Sequence, residues 1–267
     1  MVLGEILSSL DRIAPFSLAL SWDNSGLQVG DLHQKIEKLY LALEATHEVI
    51  DRAQGEGAQL IVTHHPLIFT PLKAIEKGGY PGILIYRLIE SNMALVAMHT
   101  NWDAAPEGLS HALAQKVGLG DQDVLEPLSP AGEGGVGRVG MLPQTTTPEA
   151  LAHRLMEELP APWARVVGDP YKEVQRVAVC PGSGGDLWPK AQVLGAQLLV
   201  TGDVKHHQAR EAQETGMILL DLGHFATESW GMKLLKEKIE KEVLQVNVEV
   251  DTTLRDPFTI YAKGGRG

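Results

Sequence analysis

His64 and His65 stand side by side, directly before Pro66, at the end of the apolar run Leu60-Ile61-Val62-Thr63. Successive side chains of a strand point to opposite faces, so both imidazoles serve one site only where the strand has ended. Pro66 favours that end, because it cannot donate to a sheet ladder. Neighbouring ligands that cannot share one geometry suit two adjacent metal ions. The plainer alternative is a pair of surface histidines in a turn. Two further segments pair an imidazole with a carboxylate four residues on: His99 with Asp103, and His224 with Glu228. On the first turn of a helix those positions share a face. Imidazole plus carboxylate is a ligand set for zinc, iron or manganese, and it is also the make-up of a capped helix start with a solvated acid. As a set, His64, His65, Asp103, His224 and Glu228 follow three different strand-like runs. Open α/β sheets bring such strand ends together at a crevice, so the set reads as a metal site.

Other loops offer less. Pro181-Gly182-Ser183-Gly184-Gly185-Asp186 lies between a strand-like run and a helix, where backbone amides could hold an anion. It matches neither a Walker A loop nor a full dinucleotide fingerprint, and a tight βα turn is the better reading of it. Gly202-Asp203-Val204-Lys205-His206-His207 offers acid, base and imidazoles at another strand end; His206 and His207 also suit the exposed start of a helix. His33, His47, His111 and His153 lie in polar or helical contexts and read as surface residues. No Gly-x-Ser-x-Gly elbow occurs. The single cysteine, Cys180, sits in an apolar run and reads as core.

The elements that must position these residues come in two copies. Gly57-Ala58-Gln59-Leu60-Ile61-Val62-Thr63 is nearly repeated as Gly195-Ala196-Gln197-Leu198-Leu199-Val200-Thr201. Leu39 to Leu43 matches Val177 to Pro181 at the same spacing, and Ala94 to His99 resembles Ile218 to His224, with His99 set beside His224. Three matches in one order indicate a duplication. Hydrophobic periodicity predicts helices over 2–13, 46–54, 80–91, 107–116, 148–158, 187–194, 206–215 and 228–240. It predicts strands over 38–43, 59–63, 94–98, 137–142, 164–168, 176–180, 197–201, 217–222 and 243–250. The segment 21–31 is dense in turn residues with a short extended piece. Strands alternating with helices imply parallel βαβ units, hence an α/β fold of two duplicated halves, residues 1–125 and 126–267. The best linker lies at 121–136, charged first and then rich in proline and glycine. The C-terminal part can pack back on the first half.

Bulk properties narrow the class. The 267 residues, 44% hydrophobic, suffice for one large or two moderate cores. A net charge of −11 argues against a nucleic-acid coat or an anionic membrane surface. No apolar stretch reaches a membrane span, and the N-terminus lacks the basic and apolar regions of a signal peptide. One cysteine excludes an intramolecular disulfide and fits a reducing, cytoplasmic setting.

Five ordered motifs carry a resemblance over essentially the whole chain. They are Trp22-Asp23-Asn24-x-Gly26-Leu27-Gln28-x-Gly30, Thr63-His64-His65-Pro66, His99-Thr100-Asn101-x-Asp103, Thr201-Gly202-Asp203 with His207, and Gly223-His224-x-x-Thr227-Glu228. With these the chain resembles the GTP cyclohydrolase I type 2-like, or Nif-three-like, family. The resemblance implies a duplicated α/β fold around a two-metal centre. Its ligands fall on His64, His65, Asp103, His224 and Glu228, the set reached above. It implies toroidal homohexamers with metal sites facing an inner cavity. Longer members insert a domain between the halves, for which this chain is too short. The attributed reaction is ring opening of GTP, and the residues themselves support a metal-activated water acting on a nucleotide-like compound. His99, unclaimed as a ligand, is the candidate catalytic base or proton shuttle. A non-catalytic metal-binding or delivery protein, and an oligomeric scaffold with structural metals, fit the same residues. His/carboxylate sets accept zinc, iron and manganese alike.

Overall fold

Short, wholly buried apolar runs bounded by turn residues become the central strands. In the computed structural model, which describes residues 1–128 and 134–261, the chain divides into two units. One comprises Met1–Ala105 and Gly231–Leu254, the other Pro106–Trp230 and Arg255–Gly267.

The first unit holds strands β1 (Gly26–Val29), β2 (Lys38–Ala42), β3 (Leu60–Thr63), β4 (Ala94–Ala97) and β11 (Asn247–Val250). Their spatial order is β1-β4-β3-β2-β11, parallel except for β1 against β4. On one face Tyr40, Ala42, Ile61 and Leu95 cluster with α2 (His47–Gly55) and α3 (Gly82–Glu90). The alternate residues Leu39, Leu41, Leu60, Val62 and Val96 are equally buried and point the other way. There α10 (Gly231–Glu242) packs on β2, β11 and α1 (Leu3–Ile13). Burial on both faces is why these strands read as continuous apolar runs.

The second unit holds β5 (Gly120–Pro127), β6 (Gly135–Thr146), β7 (Arg165–Val167), β8 (Val174–Val179), β9 (Leu198–Thr201) and β10 (Ile218–Asp221). Their order is β5-β6-β8-β9-β10-β7, with β8, β9 and β10 parallel. Val177, Val179, Leu198, Val200 and Leu220 pack with α5 (Leu109–Val117) and α6 (Pro148–Glu158). Ala178, Leu199 and Leu219 face the cluster that includes Trp188 and Ala191 of α7 (Trp188–Val193) and Ala212 of α8 (His206–Thr215).

The duplication is present in the topology. β1 to β4 and β7 to β10 follow one plan: three parallel strands, with the preceding strand antiparallel to the third. The repeated string does the same work twice. Gln59 Oε1 accepts from the amides of Glu37 and Lys38 at 2.9 and 3.0 Å, and Gln197 Oε1 from those of Gln175 and Arg176 at 2.8 and 3.1 Å. Each glutamine thus tethers the entry to the neighbouring strand.

Three expectations change. The stretch expected as a linker at 121–136 contributes strand β5 and the start of β6, and its residues 129–133 lie outside the described residues. The first unit ends at Ala105 rather than near 125, because Leu113, Ala114 and Val117 of α5 bury themselves among second-unit side chains, while β11 returns to pair with β2. The helix expected over 228–240 is α10, which starts at Gly231, and Glu228 instead closes a separate short helix, α9 (His224–Glu228). Among the described residues no helix is long and apolar enough to cross a membrane.

Candidate metal centre

In the first unit β3 ends at Thr63, whose hydroxyl donates to the His65 carbonyl at 2.8 Å and fixes the turn carrying both imidazoles. His64 is fully buried. Its Nδ1 donates to the Met98 carbonyl at 2.9 Å, which leaves Nε2 as the lone pair, 3.7 Å from Asp103 Oδ1. His65 Nδ1 lies 3.8 Å from Glu44 Oε2. β4 leads through Met98 to His99, the residue that caps α4 (Thr100–Ala104), which carries the buried Asp103. The His99 ring lies 5.2 Å from that of His64 and 5.6 Å from that of His65, centroid to centroid. His64, His65 and His99 each offer a ligand nitrogen, all within 4.8 Å of one another. One metal with ligand bonds of about 2.0–2.2 Å needs only a small contraction of that group.

His99 is held by a residue whose role the sequence did not disclose. Asp23 accepts from His99 Nδ1 at 2.7 Å, from Ser25 Oγ at 2.7 Å, and from Thr100 Oγ1 and N at 2.6 and 3.1 Å. Burial would raise this carboxyl, but the bonds from His99, Thr100 and Ser25 outweigh it and hold the group well below the usual carboxylate range. A carboxylate on the far nitrogen of an imidazole fixes its tautomer and orientation, as it does for metal-binding histidines.

The second unit repeats that device. His224 opens α9 and Glu228 closes it, with His224 Nε2 at 3.0 Å from Glu228 Oε2. His224 Nδ1 meets Asp203 Oδ2 at 2.7 Å. Burial would lower the His224 pKa, but Asp203 and Glu228 outweigh it and push the imidazole up to about 10. Two carboxylates on one imidazole leave an excess of negative charge that a cation would satisfy. Asp203 adopts φ 54°, the left-handed region that aspartate tolerates better than most residues. Two glycines make room. A Cβ on Gly182 would collide with Glu228 Oε1, and one on Gly202 would come within 2.7 Å of the Gly223 and His224 backbone.

Asp23 and Asp203 both stood in the quoted motifs, but adjacency in sequence carries no sign of a partner 76 or 21 residues away. The Gly182–Gly185 stretch is a tight turn: the Gly182 and Gly184 amides donate to Thr227 Oγ1 and Thr201 Oγ1, both at 2.9 Å. His206 and His207 are exposed on the first turn of α8. The sequence alignment of His99 with His224 slips by one. β3 pairs Leu60 with Ala94 while β9 pairs Leu198 with Ile218, so His99 corresponds to Gly223, both capping residues, and Thr100 to His224.

Comparison with known proteins agrees with the motifs. The family model described as Duf34/NIF3 (NGG1p interacting factor 3) matches residues 1–257. A Clostridium perfringens protein named GTP cyclohydrolase 1 type 2 homolog is 35% identical over 260 residues, covering 97% of this chain and 99% of the relative. A Streptomyces coelicolor protein of the same name is 36% identical over 271 residues, covering 97% and 94%. Among solved structures, a Bacillus cereus protein related to NIF3 superposes with a TM-score of 0.90 at 27% identity, covering 98% of this chain and 99% of that one. With a family match over nearly its whole length, this chain belongs to the DUF34/NIF3 family.

Proposed function

We propose that the protein is a hydrolase that uses two divalent metal ions on a nucleotide-like substrate, ring opening of GTP being the candidate reaction. His64, His65, Asp103, His224 and Glu228 would hold the metals. The observation that carries this reading is how the imidazoles are committed. His64, His99 and His224 each spend Nδ1 on a carbonyl or carboxylate, which is the usual outer partner of a metal-binding histidine. The donor set of imidazole and carboxylate suits zinc, iron or manganese. The names of the Clostridium and Streptomyces relatives support the substrate class.

Such ions, when bound, supply a Lewis acid and an activated water. The chain supplies the proton path. With Nδ1 donating to Asp23, His99 keeps Nε2 as an acceptor, and Asp23 stabilises the imidazolium that forms. The grouping of His99 with His64 and His65 favours a second reading, in which His99 is itself a ligand. The family resemblance adds a homohexamer; the net charge of −11 speaks against a nucleic-acid or membrane-surface partner, and the single cysteine fits a reducing, cytoplasmic setting.

Metal analysis of the native protein, then a nucleotide panel with each metal restored after chelation, tests the proposal. About two equivalents per chain and metal-dependent turnover are expected. Retained metal with no turnover on nucleotides or esters would instead make the protein a metal-binding or scaffold protein. A monomer mass by light scattering at micromolar concentration would remove the hexamer.

A further inference from the structure

Trp22 and Phe69 are large aromatic side chains left 57% and 50% exposed beside the histidine cluster of the first unit. Trp22 meets the edge of His99 at 6.0 Å between centroids, and Phe69 meets it at 6.4 Å. The two aromatics lie 5.8 Å apart and are tilted by 47°, so they are not stacked flat on each other. Exposed apolar rings grouped at a polar site mark a surface built for a ligand.

Both rings sit on loops that are fastened to each other. Asn24 Nδ2 donates to the Ile68 carbonyl at 2.6 Å, Gln28 Oε1 accepts from the Ile68 amide at 3.0 Å, and Gln28 Nε2 donates to the Asn24 carbonyl at 2.7 Å. Phe69 is therefore tied, through its neighbour, to the loop that carries Trp22. On Trp22's other flank, Asp23 is bound by His99, Ser25 and Thr100, and the Leu20 amide donates to Thr100 Oγ1 at 2.9 Å. The motif Trp22-Asp23-Asn24-x-Gly26-Leu27-Gln28 thus has a physical division of labour. Asp23 orients His99, Asn24 and Gln28 clamp the neighbouring loop, and Trp22 is left facing outward. Rigid, preordered aromatic rings bind at low entropic cost.

We propose that Trp22 and Phe69 form the seat for the flat heteroaromatic ring of the substrate, holding it by stacking beside the His99 imidazole. This rests on the reading of the histidine cluster as a reaction centre. A planar ring fits better than a protein partner, because the exposed faces adjoin the imidazole whose free nitrogen must reach the reacting atom. Stacking is tolerant of ring identity, so the seat selects flatness, and other contacts must select the base.

Calorimetry with guanosine 5′-monophosphate and, as a ring-free control, ribose 5-phosphate tests this, with metal content and mass measured on each sample. The nucleotide is expected to bind at least about tenfold more tightly than the sugar phosphate. Trp22→Ala and Phe69→Ala should each weaken it by roughly tenfold to a hundredfold, the scale of one lost stacking contact. Trp22→Phe should retain most of the affinity, and metal content should not change. Equal binding of nucleotide and sugar phosphate, unaltered nucleotide affinity in both alanine variants, or a fall in oligomer mass in Trp22→Ala would overturn the seat. Nucleotide that fails to bind a metal-replete protein would remove the seat and leave the metal centre standing. Protein that holds no metal, yet binds the nucleotide through Trp22, would remove the metal centre and leave the seat.

Discussion

At the end of β3, Thr63 donates to the His65 carbonyl and so shapes the turn that bears two imidazoles. Its counterpart at the end of β9, Thr201, instead bonds the Gly182 carbonyl and the Gly184 amide, and the residues that follow are Gly202 and Asp203. The strands, the tethering glutamines and the order of pairing are the same in both units. The residues just past the strand ends are not. One unit presents three imidazoles within 4.8 Å, and the other presents one imidazole between two carboxylates. The two helices α4 and α9 align end to end, but His224 and Glu228 stand one position further along than His99 and Asp103, which adds to the contrast, since a step of one residue turns a helix by about 100°. The scaffold was copied and the loops diverged, which is the division of labour expected when rigid sheets display chemistry on loops.

The largest effect should come from crowding the second unit. Gly182→Ala drives a Cβ into Glu228 Oε1 at a φ of +61°, so if the proposed metal centre holds, metal content should fall as far as in Glu228→Ala. Metal analysis of both variants checks it, and full metal in Gly182→Ala would show that the carboxylate is not needed where it stands. Next, His99→Ala should keep its metals and lose roughly 10²-fold in turnover, the usual scale for a proton-transfer group. His224→Ala should lose metal. If His99→Ala also loses metal, His99 is a ligand and the units are more alike than proposed. Asp23→Asn and Asp203→Asn remove the outer partner in each unit and should cost about 10- to 100-fold in metal affinity or activity.

Two smaller effects bear on the scaffold. Gln59→Ala and Gln197→Ala should destabilise by similar amounts, about 1 kcal/mol each, since each deprives two strand-entry amides of an acceptor. Denaturant titration would expose an unequal pair. The last effect is specific to the first unit. Burial would raise the Asp251 carboxyl, but the Leu254 and Thr253 amides and Arg52 outweigh it and lower its pKa. A carboxyl depressed on folding stabilises above its unfolded pKa, near 4, and that contribution is lost as pH falls through the lower folded value. Melting temperatures should therefore show an acid-side decline in the wild type that Asp251→Asn flattens.

Much of this organisation was legible in the residues. The central strands announce themselves as buried apolar runs, and α6 and α8 have the bounds their periodicity predicts. β5 was not legible. Only Leu125 in it is fully buried, and a polar, half-exposed strand beside a proline- and glycine-rich stretch looks like a linker. α5 was found as a helix, yet its allegiance to the second unit is decided by which sheet its apolar stripe meets.

For the site, sequence alone determined the chemical types and their attachment to strand ends. His64 and His65 were marked by an apolar run that stops at them, and His99 with Asp103 and His224 with Glu228 by their four-residue spacing after such runs. Only the tertiary structure decided how each imidazole is oriented. The groups that choose its tautomer are Met98 O, Asp23 and Asp203, lying 34, 76 and 21 residues away. The same holds for the register of the two copies. A sequence match can slide by one residue at little cost, whereas a hydrogen-bonded ladder cannot, because a one-residue slip turns every side chain to the opposite face.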